Sequence, residues 1–205
     1  MKIYIVRHGE TDWNGPRRLQ GRSDIPLNET GIEEAKITGE ALKDVPFAAA
    51  FVSPLTRTRQ TAELLIRDRH IPVYEDARII EMCFGVYEGL SVVNPKYLVN
   101  DPVYCDVFLN HPDQYEAPEG GETFYEVCAR TQDFLNDLAH RQEYADKCVL
   151  VVSHGGAIHG MLNQLCFGGD VSRFWGERHM ENCEVAVVEA KDGKLTLLEE
   201  GKLYY

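Results

Sequence analysis

Two apolar runs in this chain end in the same way. Ile3 to Val6 lead into Arg7-His8-Gly9, and Cys148 to Val152 lead into Ser153-His154-Gly155-Gly156. Both runs are short and rich in β-branched residues, with no polar alternation, which is the pattern of strands buried on both faces of a sheet. Glycine after each histidine lets the backbone turn sharply where the strand stops. As neighbouring parallel strands, the two runs set His8 and His154 side by side at one sheet edge. That edge, outside the carboxyl ends of the strands, is where open α/β sheets bind ligands. A neutral imidazole is a good nucleophile, and a guanidinium grips phosphate oxygens in a fixed fork. Arg7 beside His8 therefore suits capture of a phosphoryl group.

The rest of the chain supplies the layers around such a sheet. Ile32, Ala35, Gly39 and Leu42 recur at helical spacing and predict a helix over about Glu29 to Lys43, with Thr30 as N-cap and Glu33 completing a capping box. Ala48 to Val52 reads as a second strand, running into Ser53-Pro54-Leu55-Thr56-Arg57, which opens another helix. Arg57 falls in the first turn of that helix, at the positive end that favours anions, and Arg59 points away from it. Ile71 to Glu75 reads as a third strand. A helix is predicted from Glu122 to about Gln142, with Val127, Phe134, Leu135 and Leu138 inward, and another over Ala157 to Phe167, whose first N–H groups face the His154 end. Glu184 to Ala190 and Lys194 to Glu199 flank Lys191-Asp192-Gly193, a hairpin signal. Strands alternating with helices predict a single α/β domain over 1–205: an α/β/α sandwich with a mostly parallel sheet and an antiparallel C-terminal hairpin.

Residues 90–119 break the alternation. They hold Pro95, Pro102, Pro112 and Pro118 with Tyr97, Tyr104, Phe108 and Tyr115, and read as an irregular insertion covering the site. Packing and ligand contact are equally open roles for these aromatics.

Charge narrows the partners. The 205 residues carry a formal net charge of −12, which argues against nucleic acid and anionic membrane surfaces. Residues 1–22 run the other way, with Lys2, Arg7, Arg17, Arg18 and Arg22 against Glu10 and Asp12, a local basic patch for a small anion. No run reaches the roughly 18 apolar residues of a membrane span, and the first residues do not form a signal peptide. The six cysteines form no Cys-x-x-Cys pair, so neither zinc nor a redox motif is indicated, and reduced thiols in the cytoplasm are expected. A metal held by the two histidines is the rival reading. Zinc, however, wants three or four protein ligands, and no third one has suitable spacing.

Several segments together carry a resemblance. Arg7-His8-Gly9-Glu10-Thr11-x-Trp13-Asn14 resembles the signature of the histidine phosphatase superfamily, which includes cofactor-dependent phosphoglycerate mutases and many small-molecule phosphatases. Gly21-x-x-Asp24-x-Pro26-Leu27, Ser53-x-Leu55-x-Arg57-x-x-Gln60-Thr61-Ala62 and Glu81-x-x-x-Gly85-x-x-Glu88-Gly89 resemble further segments of that family, and Pro118-Glu119-Gly120-Gly121-Glu122-Thr123 resembles its Pro-x-Gly-Glu-Ser turn. The likeness covers nearly the whole chain outside 90–119.

The resemblance implies a metal-independent, acid-type phosphatase without a cofactor, acting on a small phosphorylated metabolite through a phosphohistidine on His8. Arg7, Arg57 and His154 would hold the non-bridging oxygens. Glu81, between Ile80 and Met82, would be desolvated enough to hold a proton for the leaving group. Asn14, Gly21 and Gly155 would add phosphate contacts. A phosphomutase on the same scaffold and a non-catalytic phosphoryl-binding module are the alternatives. Residues 79–129 hold no arginine, one lysine (Lys96) and nine acidic residues, so the leaving group is expected to be neutral or weakly anionic. Arg173, Arg178 and His179 are the cations that would change this.

Overall fold

The computed structural model describes residues 1–205. Its framework is a six-stranded sheet in the order β3-β2-β4-β1-β5-β6. The strands are β1 (Lys2–Arg7), β2 (Phe47–Val52), β3 (Val73–Glu75), β4 (Cys148–Ser153), β5 (Val185–Lys191) and β6 (Lys194–Lys202). β1 pairs in parallel with β4, β4 with β2 and β2 with β3, while β5 runs antiparallel to both β1 and β6. The sheet is thus mostly parallel and closes with the hairpin that the Lys191-Asp192-Gly193 turn predicts.

Period-two alternation of side chains divides the core into two layers. Ile3, Ile5, Val149, Val151 and Phe51 face α4 (Phe124–Ala139) and α5 (Gly155–Phe167), burying Phe134, Leu135, Leu138, Ile158 and Met161. Val6, Ala50, Val52, Leu150 and Val152 face the other way, against Leu42 and the Ala62, Leu65 and Ile66 stripe of α2 (Thr56–Ile66). α1 (Glu29–Ala41) packs beside α2. With helices on both faces, β1 and β4 have no solvent face, so they can be apolar throughout.

Some boundaries differ from expectation. The cap of α1 is Asn28, whose side chain accepts from the Gly31 N–H, and not Thr30, which lies inside the helix. The predicted capping box belongs to α4 instead, where Thr123 and Glu126 satisfy one another's backbone N–H groups and start the helix at Phe124 rather than Glu122. β3 is shorter than predicted, and α5 begins two residues early, at Gly155.

The segment over 90–119 is less irregular than its prolines suggest. Pro102 sits at the start of α3 (Pro102–Asn110), where its missing N–H costs nothing, and Asp101 caps the helix through the Tyr104 N–H. Tyr104, Phe108 and Tyr115 pack with Leu19, Met82, Phe84, Phe124 and Phe174 in a third apolar cluster. These three aromatics therefore join the insertion to the neighbours of Glu81 and Gln20; packing is their role.

Candidate active site

β1 and β4 end in register, with Arg7 opposite Ser153. The ladder continues one bond further, because the His8 N–H donates to the Ser153 carbonyl at 3.0 Å. His8 and His154 consequently lie side by side, with ring centroids 5.1 Å apart. Both are buried, as are Arg57 and Glu81. The structure brings Arg7, His8, Arg57, Glu81, His154 and Gly155 to one edge of the sheet.

The turn after β1 is tied down on every side. The Gly9 N–H donates to Thr61 Oγ1 on α2, and Thr61 Oγ1 donates to the Arg57 carbonyl. Asn182 Nδ2 donates to the His8 carbonyl at 2.9 Å. Within the turn, His8 Nδ1 lies 2.8 Å from the Gly9 carbonyl oxygen. A carbonyl only accepts, so Nδ1 carries the proton and Nε2 presents a lone pair. Burial first, then the Arg57 and Arg7 charges, push the His8 pKa well below its ordinary value, outweighing the Gly9 contact. His8 is neutral.

His154 is held by two partners. Arg57 Nε donates to its Nδ1 at 3.1 Å, so Nε2 carries the proton and donates to Ser53 Oγ at 2.7 Å. Burial, then Arg57 and His8, keep this imidazole neutral as well. Arg57 is fully enclosed. Nη1 donates to the Ser23 carbonyl, and Nη2 donates to the Gln20 and Gly21 carbonyls. It faces only neutral acceptors, and burial lowers its pKa to about 10. Arg7 donates through Nη1 to the Met180 carbonyl, while its buried Nε has no partner. Neither arginine forms an ion pair. The orphaned, buried Nε–H of a guanidinium without an ion-pair partner is costly unless an anion completes it.

Glu81 closes the opposite side. Its Oε1 accepts from the Met82 and Ala157 N–H groups, and Oε2 accepts from the Gly156 N–H at 3.0 Å. The carboxylate thus sits on the first turn of α5 and leaves the Gly155 N–H without a protein partner. Gly155 also abuts Arg7: a Cβ there would lie 3.6 Å from Arg7 Nε.

Two expected phosphate contacts also have partners within the protein. The Gly21 N–H is spent on Glu88 Oε1 at 2.8 Å, because the Glu88 carboxylate fills the space an anion would need. Asn14 closes the Thr11 turn, its Oδ1 accepting from the Thr11 N–H and Oγ1. Arg59 points away as predicted and pairs with Glu75. Ser53, Thr61, Asn182 and Glu88 support the site and carried no assigned role in the sequence. The available signal was that Ser53 ends a strand, at the same edge as the two histidines. Of the cations near the C-terminal hairpin, Arg178 pairs with Glu184, and Arg173 stacks on Phe167 at 4.1 Å.

At this sheet edge a neutral imidazole lies beside two guanidinium groups that form no ion pair, Arg57 buried and Arg7 half-buried, an arrangement suited to phosphoryl groups. The comparisons agree. The histidine phosphatase superfamily (branch 1) model matches residues 3–201, and the chain belongs to that family. It is 36% identical over 168 residues to the uncharacterized phosphatase PhoE of Bacillus subtilis, covering 82% of this chain and 78% of that protein. It is 30% identical over 201 residues to phosphoserine phosphatase 1 of Hydrogenobacter thermophilus, covering 97% and 91%. The structure of Bacillus stearothermophilus YhfR superposes with a TM-score of 0.89 at 32% identity, over 98% of this chain and 97% of that one. Phosphoglycerate mutases also occur among the relatives. Fold, family and relatives make the protein a small-molecule phosphatase.

Proposed function

We propose that the protein is an acid-type phosphoric monoester hydrolase working through a phosphohistidine on Nε2 of His8. The observation that carries this is the Nδ1 contact to the Gly9 carbonyl, which leaves Nε2 as a neutral, unprotonated nucleophile in a pocket with two unpaired arginines. In the first step Nε2 attacks phosphorus and the ester oxygen leaves. Arg7 Nε and the Gly155 N–H meet charge on the equatorial oxygens, where phosphoryl transfer needs it. The Arg57 Nε–H turns from His154 to a phosphoryl oxygen, and the freed Nδ1 takes up a proton as the dianion arrives. Glu81 takes up a proton as the ester binds, gives it to the leaving oxygen, and then accepts one from the water that attacks the phosphohistidine, so that phosphate is released and Glu81 is again protonated for the next turnover. The two arginines supply the positive charge, so this chemistry calls for neither a metal nor a cofactor.

The substrate in this reading is a small monophosphate whose remainder is neutral or weakly anionic, met in the cytoplasm, where the six unpaired thiols stay reduced. Phosphoserine, the substrate named for one relative, fits: serine leaves as a zwitterion without net charge. The mutase alternative needs a second cationic pocket. That Arg173 and Arg178 are engaged with Phe167 and Glu184 supports the phosphatase reading, and His179 is the remaining cation from that region.

Quenching without acid, on labelled substrate, is expected to trap an alkali-stable, acid-labile phosphoryl group. His8→Ala abolishes label and turnover, and a chelator leaves the rate unchanged. Label on an Asp, Ser or Cys, or loss of activity with the chelator, overturns the reading. Supplying 3-phosphoglycerate with catalytic 2,3-bisphosphoglycerate tests the mutase. Conversion faster than phosphate release from any monoester would establish it.

A further inference from the structure

Arg57 is oriented by main-chain carbonyls of a loop without regular structure, Gln20 to Ser23, together with His154. What holds that loop decides where the guanidinium points. Side chains pin its margins: Asp24 takes the Thr56 N–H at 2.7 Å, and Gln20 Oε1 lies 2.9 Å from Thr11 Oγ1, whose one proton it shares with Asn14 Oδ1. At its centre a single carboxylate oxygen, Glu88 Oε1, accepts from the Gly21 N–H at 2.8 Å and the Ser23 N–H at 3.1 Å. Next to Glu88 the two segments are zipped, with the Gly89 N–H donating to the Leu19 carbonyl and the Leu19 N–H to the Leu90 carbonyl. Peptide groups are rigid planes, so fixing the N–H groups of Gly21 and Ser23 fixes the tilt of the peptides around them. The Gly21 N–H shares its plane with the Gln20 carbonyl, one of the acceptors that hold Arg57, and the other two acceptors, the Gly21 and Ser23 carbonyls, belong to the two residues whose N–H groups Glu88 fixes.

We propose that Glu88 is a positioning residue that sets the orientation of Arg57 through the Gly21–Ser23 loop. Glu88 touches neither His8 nor any atom that reacts. Its segment carries Glu81 at the far end, so one stretch of chain fixes both the proton donor and, through Glu88, the arginine. What the loop requires is an acceptor at the Oε1 position. The negative charge is secondary.

The inference deepens the phosphohistidine reading and rests on it for the kinetic consequence, so the test has a second readout that needs no turnover. Four single variants are compared, Glu88→Ala, Glu88→Gln, Glu88→Asp and Arg57→Lys, together with the double variant Glu88→Ala/Arg57→Lys. Turnover of 4-nitrophenyl phosphate is followed, and the Arg57 Nε–H resonance is observed by NMR. Glu88→Ala is expected to lower kcat/KM roughly 10- to 100-fold, the scale of a group displaced by about an ångström, and to move the Arg57 Nε–H signal. Glu88→Gln keeps an acceptor at the right reach and stays within about threefold of the parent, with the signal in place. Glu88→Asp keeps the charge, falls short of both N–H groups and behaves as Glu88→Ala. That variant also carries the test if the alanine variant does not fold. In the Arg57→Lys background Glu88→Ala changes kcat/KM by less than about threefold, because coupled sites are not additive. Additive losses, an unmoved Arg57 signal in Glu88→Asp, or a Glu88→Gln variant as poor as Glu88→Ala would each overturn the proposal. Failure of the phosphohistidine reading shows itself separately, as a wild-type protein without label on His8 and with the Arg57 shifts intact.

Discussion

Gly9 and Gly31 lie against one another, the turn after β1 resting directly on the first turn of α1. A Cβ on Gly31 would stand 2.2 Å from the Glu10 carbonyl oxygen and 2.4 Å from the Glu10 nitrogen, and one on Gly9 would stand 2.4 Å from the Gly31 oxygen. All these neighbours are backbone atoms, so no side chain can swing aside. Gly31→Ala must push the turn off the helix. It is expected to cost about 1–3 kcal/mol of stability, as overpacking does, and to lower turnover by displacing His8. Thermal unfolding and kinetics measured on the same sample check both effects. An alanine variant with parental melting temperature and rate would refute the close approach.

Arg57 meets four acceptors with a fork that an ammonium cannot reproduce. Arg57→Lys keeps the charge and loses the geometry. Loss of one charge-assisted bond, about 1.5–3 kcal/mol, predicts a fall in affinity for inorganic phosphate of roughly tenfold to 150-fold. The inhibition constant of phosphate against a monoester substrate reads this directly; an unchanged constant would mean that Arg57 lies outside the anion pocket.

Glu81 is held by three N–H groups, and replacement by glutamine leaves an acceptor on that helix end while removing the transferable proton. The expected loss on alkyl phosphates is roughly 10²–10⁴-fold. Nitrophenyl phosphate leaves without a proton and should suffer far less. Equal losses on the two substrates, measured where phosphoryl transfer limits the rate, would remove Glu81 as donor.

Three imidazoles are held neutral, His8 and His154 buried and His159 half-buried. Those of His8 and His154 lie well below the ordinary 6.5, and burial brings His159 down to about 3. The unfolded chain takes up their protons near pH 6.5, and the folded protein does not. The full stability is therefore present above about pH 6.5 and is lost as the pH falls below it, by about 1.4 kcal/mol per pH unit for each histidine. Urea unfolding between pH 7.5 and 5 should show this slope, and His159→Gln should make it shallower. A flat profile over that range would contradict neutral burial.

Much of this was legible because the grammar is local. A β-branched run ending in His-Gly twice, with a helix start after the second, places His8, His154 and Gly155 from sequence alone. Arg57 follows from its position in a first helical turn. What the sequence hid are contacts between distant segments. The Gly21 N–H looks free until Glu88, 67 residues on, is folded against it. Asn28 outcompetes Thr30 as a cap because the turn at Glu10 fixes where α1 starts, with the Asn28 N–H bonded to the Glu10 carbonyl. Prolines concealed α3, since Pro102 at a helix start reads like Pro102 in a loop.

The strand order has a consequence for how the enzyme comes into being. β1 emerges first from synthesis, yet both of its neighbours in the sheet, β4 and β5, come from the last third of the chain. Until that distant stretch is made and closes beside it, His8 has no Ser153 carbonyl, no Asn182 amide and no His154. Pairing across such a span pays its loop entropy late and all at once. The edge that sets His8 beside His154 therefore exists only once the C-terminal third of these residues has closed against β1.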